Sequence, residues 1–238
     1  MSNRKITTIL FDLDGTLLPM DQDLFAKTYF TSIAKAVSPC GYEVEALIKA
    51  IWQGTYAVMK NNGDQTNETV FWQTFAGIFG QRVYGDQPAF DAFYVQHFDE
   101  IASVCGHDPR AAQVIALCRQ KGLRTALATN PIFPRIATEK RMRWAGVAPS
   151  DFELYTTYEN SRYCKPNLAY YQSILDELGV TPDQCLMVGN DVAEDMVAAE
   201  MGMAVFLLTP CMLNKKGLEI SSYPQGDFDD LLAYIAEL

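Results

Sequence analysis

The spacing of apolar positions changes twice along this chain, and the changes divide it. Thr7 to Phe11 is an apolar, β-branched run that stops at Asp12-Leu13-Asp14-Gly15. Such a run predicts a buried strand with acidic residues at its carboxyl end. From Met20 to Cys105 the apolar positions recur every three or four residues, as in Leu24, Tyr29, Ile33 and Val37, then Leu47, Ile51, Trp52, Tyr56 and Met59. That spacing predicts amphipathic helices, with a turn at Asn61-Asn62-Gly63-Asp64. After Cys105, helix and strand patterns alternate. Asp108 and Pro109 start a helix that stops at Gly122, with proline at its first position and glycine past its end. Arg124 to Thr129 reads as a strand, Pro134 to Ala145 as a helix, and Glu153 to Thr157 as a weak strand. Pro166 opens a helix closed by Gly179, and Thr181 to Gln184 has capping-box spacing. A strand at Cys185 to Val188, a helix at Ala193 to Met201, a strand at Ala204 to Leu208 and an amphipathic helix at Phe228 to Glu237 complete the pattern.

Alternation of this kind predicts an α/β fold, a doubly wound parallel sheet with helices on both faces. Residues 1–19 and 106–238 would form that core, and residues 20–105 a separate helical domain. The helical stretch holds 15 of the chain's 28 aromatic residues, so it is expected to pack its own aromatic core. In open parallel sheets ligands bind beyond the carboxyl ends of the strands.

Charge and composition narrow the chemistry. A formal net charge of -10 over 238 residues excludes a nucleic-acid or anionic-membrane partner as the main expectation. No stretch approaches the ~18 consecutive apolar residues of a membrane span, so a cytoplasmic protein is expected. Six scattered cysteines without a C-x-x-C pair are expected to stay reduced. His97 and His107 are too few for a histidine zinc site or a Ser-His-Asp triad. Catalysis would therefore rest on carboxylates, lysine and hydroxyls.

Four groups carry candidate chemistry. Asp12 and Asp14 straddle Leu13 at the end of a buried strand, and Gly15 lets the backbone turn sharply. A solvated Asp-Gly turn is the plain alternative, but no second antiparallel strand follows Thr16. Asp191 and Asp195 lie four apart in Gly189-Asn190-Asp191-Val192-Ala193-Glu194-Asp195, at the expected start of a helix. A helix cap explains one of these carboxylates well and two poorly. Thr129 and Asn130 end a strand, where a hydroxyl and backbone N–H groups could hold phosphoryl oxygens; alone they read as turn residues. Lys165 before Pro166 alone reads as an exposed lysine.

In this order the four groups resemble the haloacid dehalogenase superfamily. Val188 to Gly202 (VGNDVAEDMVAAEMG) and Lys165 to Val180 (KPNLAYYQSILDELGV) are similar to its phosphoglycolate-phosphatase-like branch. That branch carries a helical cap inserted after the first motif, here residues 20–105. Asn190 before the motif aspartate and Leu18-Pro19-Met20 after the first motif depart from the common pattern.

The resemblance implies a phosphatase acting on a small phosphorylated metabolite through an aspartyl-phosphate. Asp12 would be the nucleophile and Asp14 the general acid and base. Thr129, Asn130 and Lys165 would bind the phosphoryl group. Magnesium would be held by Asp12, the Asp14 backbone carbonyl and Asp191, with Asp195 in support. A metal also suits the electrostatics, since two carboxylates ~4 Å apart repel by roughly 4 kcal/mol at an effective dielectric of ~20. A monomer or homodimer is expected, with the cap closing over the site. A dehalogenase, a phosphonate hydrolase using a cap lysine (Lys27, Lys35, Lys49 or Lys60), a sugar-phosphate mutase and a non-enzymatic binding protein are the rival readings.

Overall fold

A computed structural model describes residues 6–238; residues 1–5, where the expected core begins, lie outside it. Six strands form one parallel sheet: β1 (Thr8–Phe11), β2 (Arg124–Leu127), β3 (Leu154–Tyr155), β4 (Cys185–Gly189), β5 (Ala204–Leu208) and β6 (Gln225–Gly226). Their spatial order is β3-β2-β1-β4-β5-β6, and every neighbouring pair is parallel. The chain thus winds outward from β1 in one direction and then in the other. The reversal falls between β1 and β4, the crevice where such sheets bind ligands.

Alternation along each strand sends side chains to two cores. Ile9, Phe11, Leu186 and Val188 pack on one face with α5 (Arg110–Gln120), α6 (Arg135–Trp144) and α8 (Phe228–Ala236). Leu10, Cys185 and Met187 pack on the other with α7 (Leu168–Leu178) and the 3-10 turns of Met196–Met201. Every strand predicted from the sequence is present: β1, β2 and β3 are shorter than expected, β4 is one residue longer and β5 has the expected bounds. β6 is an addition, because two residues carry no periodicity.

Two helix boundaries differ from expectation. The helix expected from Pro166 begins only at Leu168, capped by Asn167, whose side-chain Oδ1 accepts from the Ala169 N–H at 2.9 Å. Lys165 is drawn inward and buried, so the chain turns before the helix can start. The helix expected at Ala193 to Met201 is instead turns followed by 3-10 structure. Side chains take its first donors: Asp191 Oδ1 accepts from Ala193 and Glu194, and Asp195 Oδ2 accepts from Asp191. Such local bonds compete with a helical ladder.

Residues 20–105 hold α1 (Gln22–Ala36), α2 (Val44–Met59), α3 (Asn67–Phe79) and α4 (Val83–Gln96). These helices pack a core of their own, in which Trp72 and Phe75 meet Phe90 edge-on at 5.4 and 5.6 Å. The buried faces use Phe25, Tyr29, Ile33, Leu47, Ile51 and Val58. Leu24, Trp52, Tyr56 and Met59 of the predicted stripes are exposed instead. Two of them, Trp52 and Met59, border a cavity facing the sheet.

The helical part joins and meets the core through several contacts, three of which bear on the site. Met20 bridges Cys105, and the Gly106 N–H donates to the Pro19 carbonyl at 2.7 Å. Buried Asn67 at the start of α3 donates to the Pro131 carbonyl at 3.1 Å. Asp99 accepts from Lys140, Arg143 and the Trp144 indole of α6 at 2.8, 2.8 and 2.9 Å.

Candidate active site

Asp12 leaves the end of β1 and stays in the ladder, its N–H donating to the Val188 carbonyl at 2.9 Å. The residue is 6% exposed, and its carboxylate is held on both oxygens. Lys165 Nζ donates to Oδ1 at 2.9 Å, and the Thr16 hydroxyl lies 3.0 Å from Oδ2. The same hydroxyl is 3.0 Å from Asn190 Oδ1, and its one proton serves one acceptor at a time. Asn190, a departure from the family pattern, therefore ties the first motif to the last, and its amide donates to the Cys211 carbonyl at 2.7 Å.

The motif glycines are required by close approach. Gly15 has φ 87°, and a Cβ there would lie 2.3 Å from Asn190 Nδ2. A Cβ on Gly189 would lie 2.2 Å from the Asp195 carboxyl. Only a bare backbone at that point lets Asp195 fold beneath β4 and reach Lys165, at 2.6 Å.

Lys165 is thus not the exposed lysine that its sequence context alone suggests. It is 1% exposed and bridges Asp12 and Asp195. Burial works against its charge, but the two carboxylates outweigh burial and hold its pKa well above the usual lysine value. Burial pushes Asp195 up to about 7, against the pull of Lys165.

Asp14 points into the cavity and pairs with Arg141 of α6, whose guanidinium is wholly buried. Arg141 also donates to the Ala137 carbonyl and Thr138 hydroxyl, each at 3.3 Å, and lies 4.6 Å from the centre of the Phe133 ring. Burial raises the Asp14 pKa, and Arg141 opposes the rise without cancelling it. Asp14 Oδ1 is buried without a hydrogen-bond partner. An acid lifted toward neutrality, with a free oxygen, is suited to give and take a proton.

Arg141 corrects the expectation that only lysine, carboxylates and hydroxyls shape this site. Its signal in the sequence is faint, because Arg141 lies in a basic helix between Lys140 and Arg143, both of which pair with Asp99 instead. Glu194 is a second addition: it borders the cavity, accepts from Asn130 Nδ2 at 3.0 Å, and is lifted by burial.

Thr129 is 1% exposed, and its carbonyl is held by the Thr156 and Tyr170 hydroxyls at 2.6 and 2.8 Å. That fixes the loop so that Thr129 and Asn130 border the same cavity as Asp12, Asp14, Asp191 and Asp195. The structure therefore gathers the sequence-predicted residues around one opening, with Lys165 directly beneath.

A divalent cation fits this donor set. Among the described residues no three His, Cys, Asp or Glu side chains converge closely enough to hold an ion by themselves. Two carboxylates plus a backbone carbonyl would be needed, and the third donor exists: no hydrogen bond reaches the Asp14 carbonyl among the described residues. No donor among the described residues reaches Asp191 Oδ2 either, while Oδ1 is used by the Ala193 and Glu194 N–H groups. Oxygen donors with room for water suit magnesium.

The topology and the carboxylate-lysine centre at its switch point mark an α/β enzyme. A family model described as haloacid dehalogenase-like hydrolase matches residues 6–202, and the chain belongs to that family. It is 21% identical over 202 residues to the pyrophosphatase PpaX of Bacillus velezensis, covering 85% of this chain and 82% of that protein. A predicted phosphoglycolate phosphatase from Haemophilus somnus superposes with a TM-score of 0.59 at 20% identity, covering 98% of this chain and 99% of the other. The L-2-haloacid dehalogenase of Xanthobacter autotrophicus does so with a TM-score of 0.57 at 18% identity, covering 98% and 99%. At these identities the superpositions establish the fold. Among the described residues no helix is long and apolar enough to cross a membrane.

Proposed function

We propose that this hydrolase is a magnesium-dependent phosphatase that removes the phosphoryl group from a small phosphate monoester through an aspartyl-phosphate on Asp12. The observation that carries the reading is the pairing of two unlike carboxyls at one cavity. Asp12 is buried with Lys165 Nζ on Oδ1 at 2.9 Å, which orients the carboxylate as the nucleophile. Asp14 has a raised pKa and an unpartnered Oδ1, which favours the proton donor.

In this mechanism Asp12 attacks phosphorus and the bond to the leaving oxygen breaks, while Asp14 gives that oxygen a proton. Asp14, now a carboxylate beside Arg141, takes a proton from water as the water attacks the phosphoaspartate. Asp12 is then restored and phosphate leaves. Thr129, Asn130 and Lys165 bind the equatorial oxygens, where charge concentrates. Magnesium, held by Asp12, the Asp14 carbonyl and Asp191 with Asp195 in support, would neutralise phosphoryl charge and fix its orientation.

Rival chemistries fit less well. Halide departure needs no proton, so a dehalogenase has no use for Asp14 with its free oxygen. A phosphonate hydrolase would need a cap lysine in the cavity, and Lys27, Lys35, Lys49 and Lys60 all lie away from it. A sugar-phosphate mutase must hold a second phosphoryl group, for which the helices offer no cation.

Residues 20–105 act as the cap in this reading, hinged where Pro19-Met20 runs beside Cys105-Gly106. Their contacts through Asn67 and Asp99 correspond to a cap docked on the core, which excludes water from the phosphoaspartate. The test is a single turnover in water enriched in heavy oxygen. Label should enter released phosphate, and acid-quenched enzyme should carry phosphate on the peptide containing Asp12. An Asp12→Asn variant that turned over near the wild-type rate would overturn the assignment.

A further inference from the structure

Above the carboxylates the cavity continues between the helices and the sheet, with a volume of about 440 Å³. Its upper wall is aromatic, including Phe30, Trp52, Phe71, Trp72 and Phe90. The Tyr29 and Tyr94 hydroxyls bond each other at 2.9 Å, so their polar tips are already satisfied. Asp23 and Asp91 are the charged groups that the helices add to the lining, and both are acidic. Lys215, on the core side, also borders the cavity and, like Asp23 and Asp91, is exposed. Trp52 is 54% exposed and Met59 41%, although both are apolar and border the cavity. Trp52 lies 5.2 Å from the Phe30 ring and borders both this cavity and an outer groove with Lys49, Tyr56 and Ile78, so part of its free surface opens on the space that a ligand body would fill.

We infer that the substrate, under the phosphatase reading on which this rests, is a monophosphate of an uncharged apolar or aromatic alcohol. Its leaving group carries no second anionic group. The phosphoryl end meets Lys165, Thr129 and Asn130 at the floor. The body lies against rings, which reward apolar surface and offer no cation to a carboxylate or second phosphate. An anionic body would lie beside Asp23 and Asp91, two like charges against the single cation of Lys215, an arrangement that discriminates against it.

The experiment is a matched series with the full chain and magnesium: ethyl phosphate, 2-phenylethyl phosphate and phosphoglycolate. Phosphoglycolate puts a carboxylate where ethyl phosphate has a methyl group; the phenyl ester adds one ring. Covering ~100 Å² of ring at ~25 cal/mol per Å² corresponds to a gain of roughly 70-fold in kcat/KM over ethyl phosphate. Phosphoglycolate should fall below ethyl phosphate, although its alkoxide is the better leaving group. Trp52→Ala, at an exposed position, should remove about tenfold of the ring's advantage, chiefly through KM. p-Nitrophenyl phosphate, which leaves readily, tests the phosphatase reading separately. If it is not hydrolysed with magnesium, that reading fails and this inference falls with it. If it is hydrolysed but phosphoglycolate equals or exceeds the phenyl ester, the inference alone is overturned. A Trp52→Ala variant that keeps the full preference for the ring would also count against it.

Discussion

Neutralising a catalytic carboxylate in a crowded acidic site ordinarily relieves repulsion and stabilises the fold. Here Asp14→Asn should destabilise it. Two effects compete at this position. Burial raises Asp14, and the neighbouring Asp12 adds to the rise, so removing the charge recovers some energy. Against that, the guanidinium of Arg141 is wholly buried, and Asp14 is the carboxylate within ion-pair distance of it among the described residues. A guanidinium does not shed its charge. Breaking a buried pair from one side costs about 3–5 kcal/mol. Arg141 keeps its bonds to Ala137 and Thr138 and its contact with Phe133, which places Asp14→Asn near the lower end, about 3 kcal/mol. At about 2–4 °C per kcal/mol for a chain of this size, the melting temperature should fall by roughly 6–12 °C. Arg141→Met should cost less, about 1–2 kcal/mol, because Asp14 is 24% exposed to the cavity and can take up a proton. The double variant should be more stable than the sum of the single losses predicts, by at least about 1.5 kcal/mol. Urea unfolding followed by circular dichroism, in chelator so that metal binding does not contribute, measures all four proteins. An Asp14→Asn variant as stable as the wild type, or more so, would refute the reasoning, as would additive single effects.

Saturating magnesium should stabilise the wild type by about 2.7 kcal/mol at 100 times Kd, and Asp191→Asn should weaken that shift; full activity in excess chelator would remove the metal from the scheme. Gly189→Ala should abolish activity and lower the melting temperature, because the new Cβ would lie 2.2 Å from the Asp195 carboxyl; enzyme assay beside circular dichroism reads both. Asp108 is held below its ordinary value by its hydrogen bonds with Arg110. Its contribution is therefore present above the unfolded carboxyl pKa of about 3.9 and lost as pH falls through the lower folded value. Asp108→Ala should flatten the acid limb of stability by less than about 1 kcal/mol, and an unchanged acid limb in urea titrations would count against the pair.

Much of this protein is written locally. The buried run Thr7 to Phe11, the aspartates that follow and the alternation after Cys105 determine a parallel sheet with acids at its carboxyl end, because strand periodicity and turn residues are short-range properties. The order of four motifs sufficed to indicate the family. What the sequence does not carry is anything created by convergence. Lys165 reads as exposed until the chain turns it between Asp12 and Asp195. Asp191 and Asp195 read as neighbours on a helix, yet their side chains capture the backbone donors that the helix would need. Arg141 looks like one basic residue among several, and only the packing of α6 beneath Asp14 makes it the partner of the proposed acid. The aromatic stripes of the helices show that they pack, but Trp52 and Met59 stay largely exposed and border the cavity, because four helices set over the crevice cannot bury every apolar face against one another. Propensity and periodicity act over a few residues, while charge pairing, desolvation and the shape of a cavity depend on segments more than a hundred positions apart.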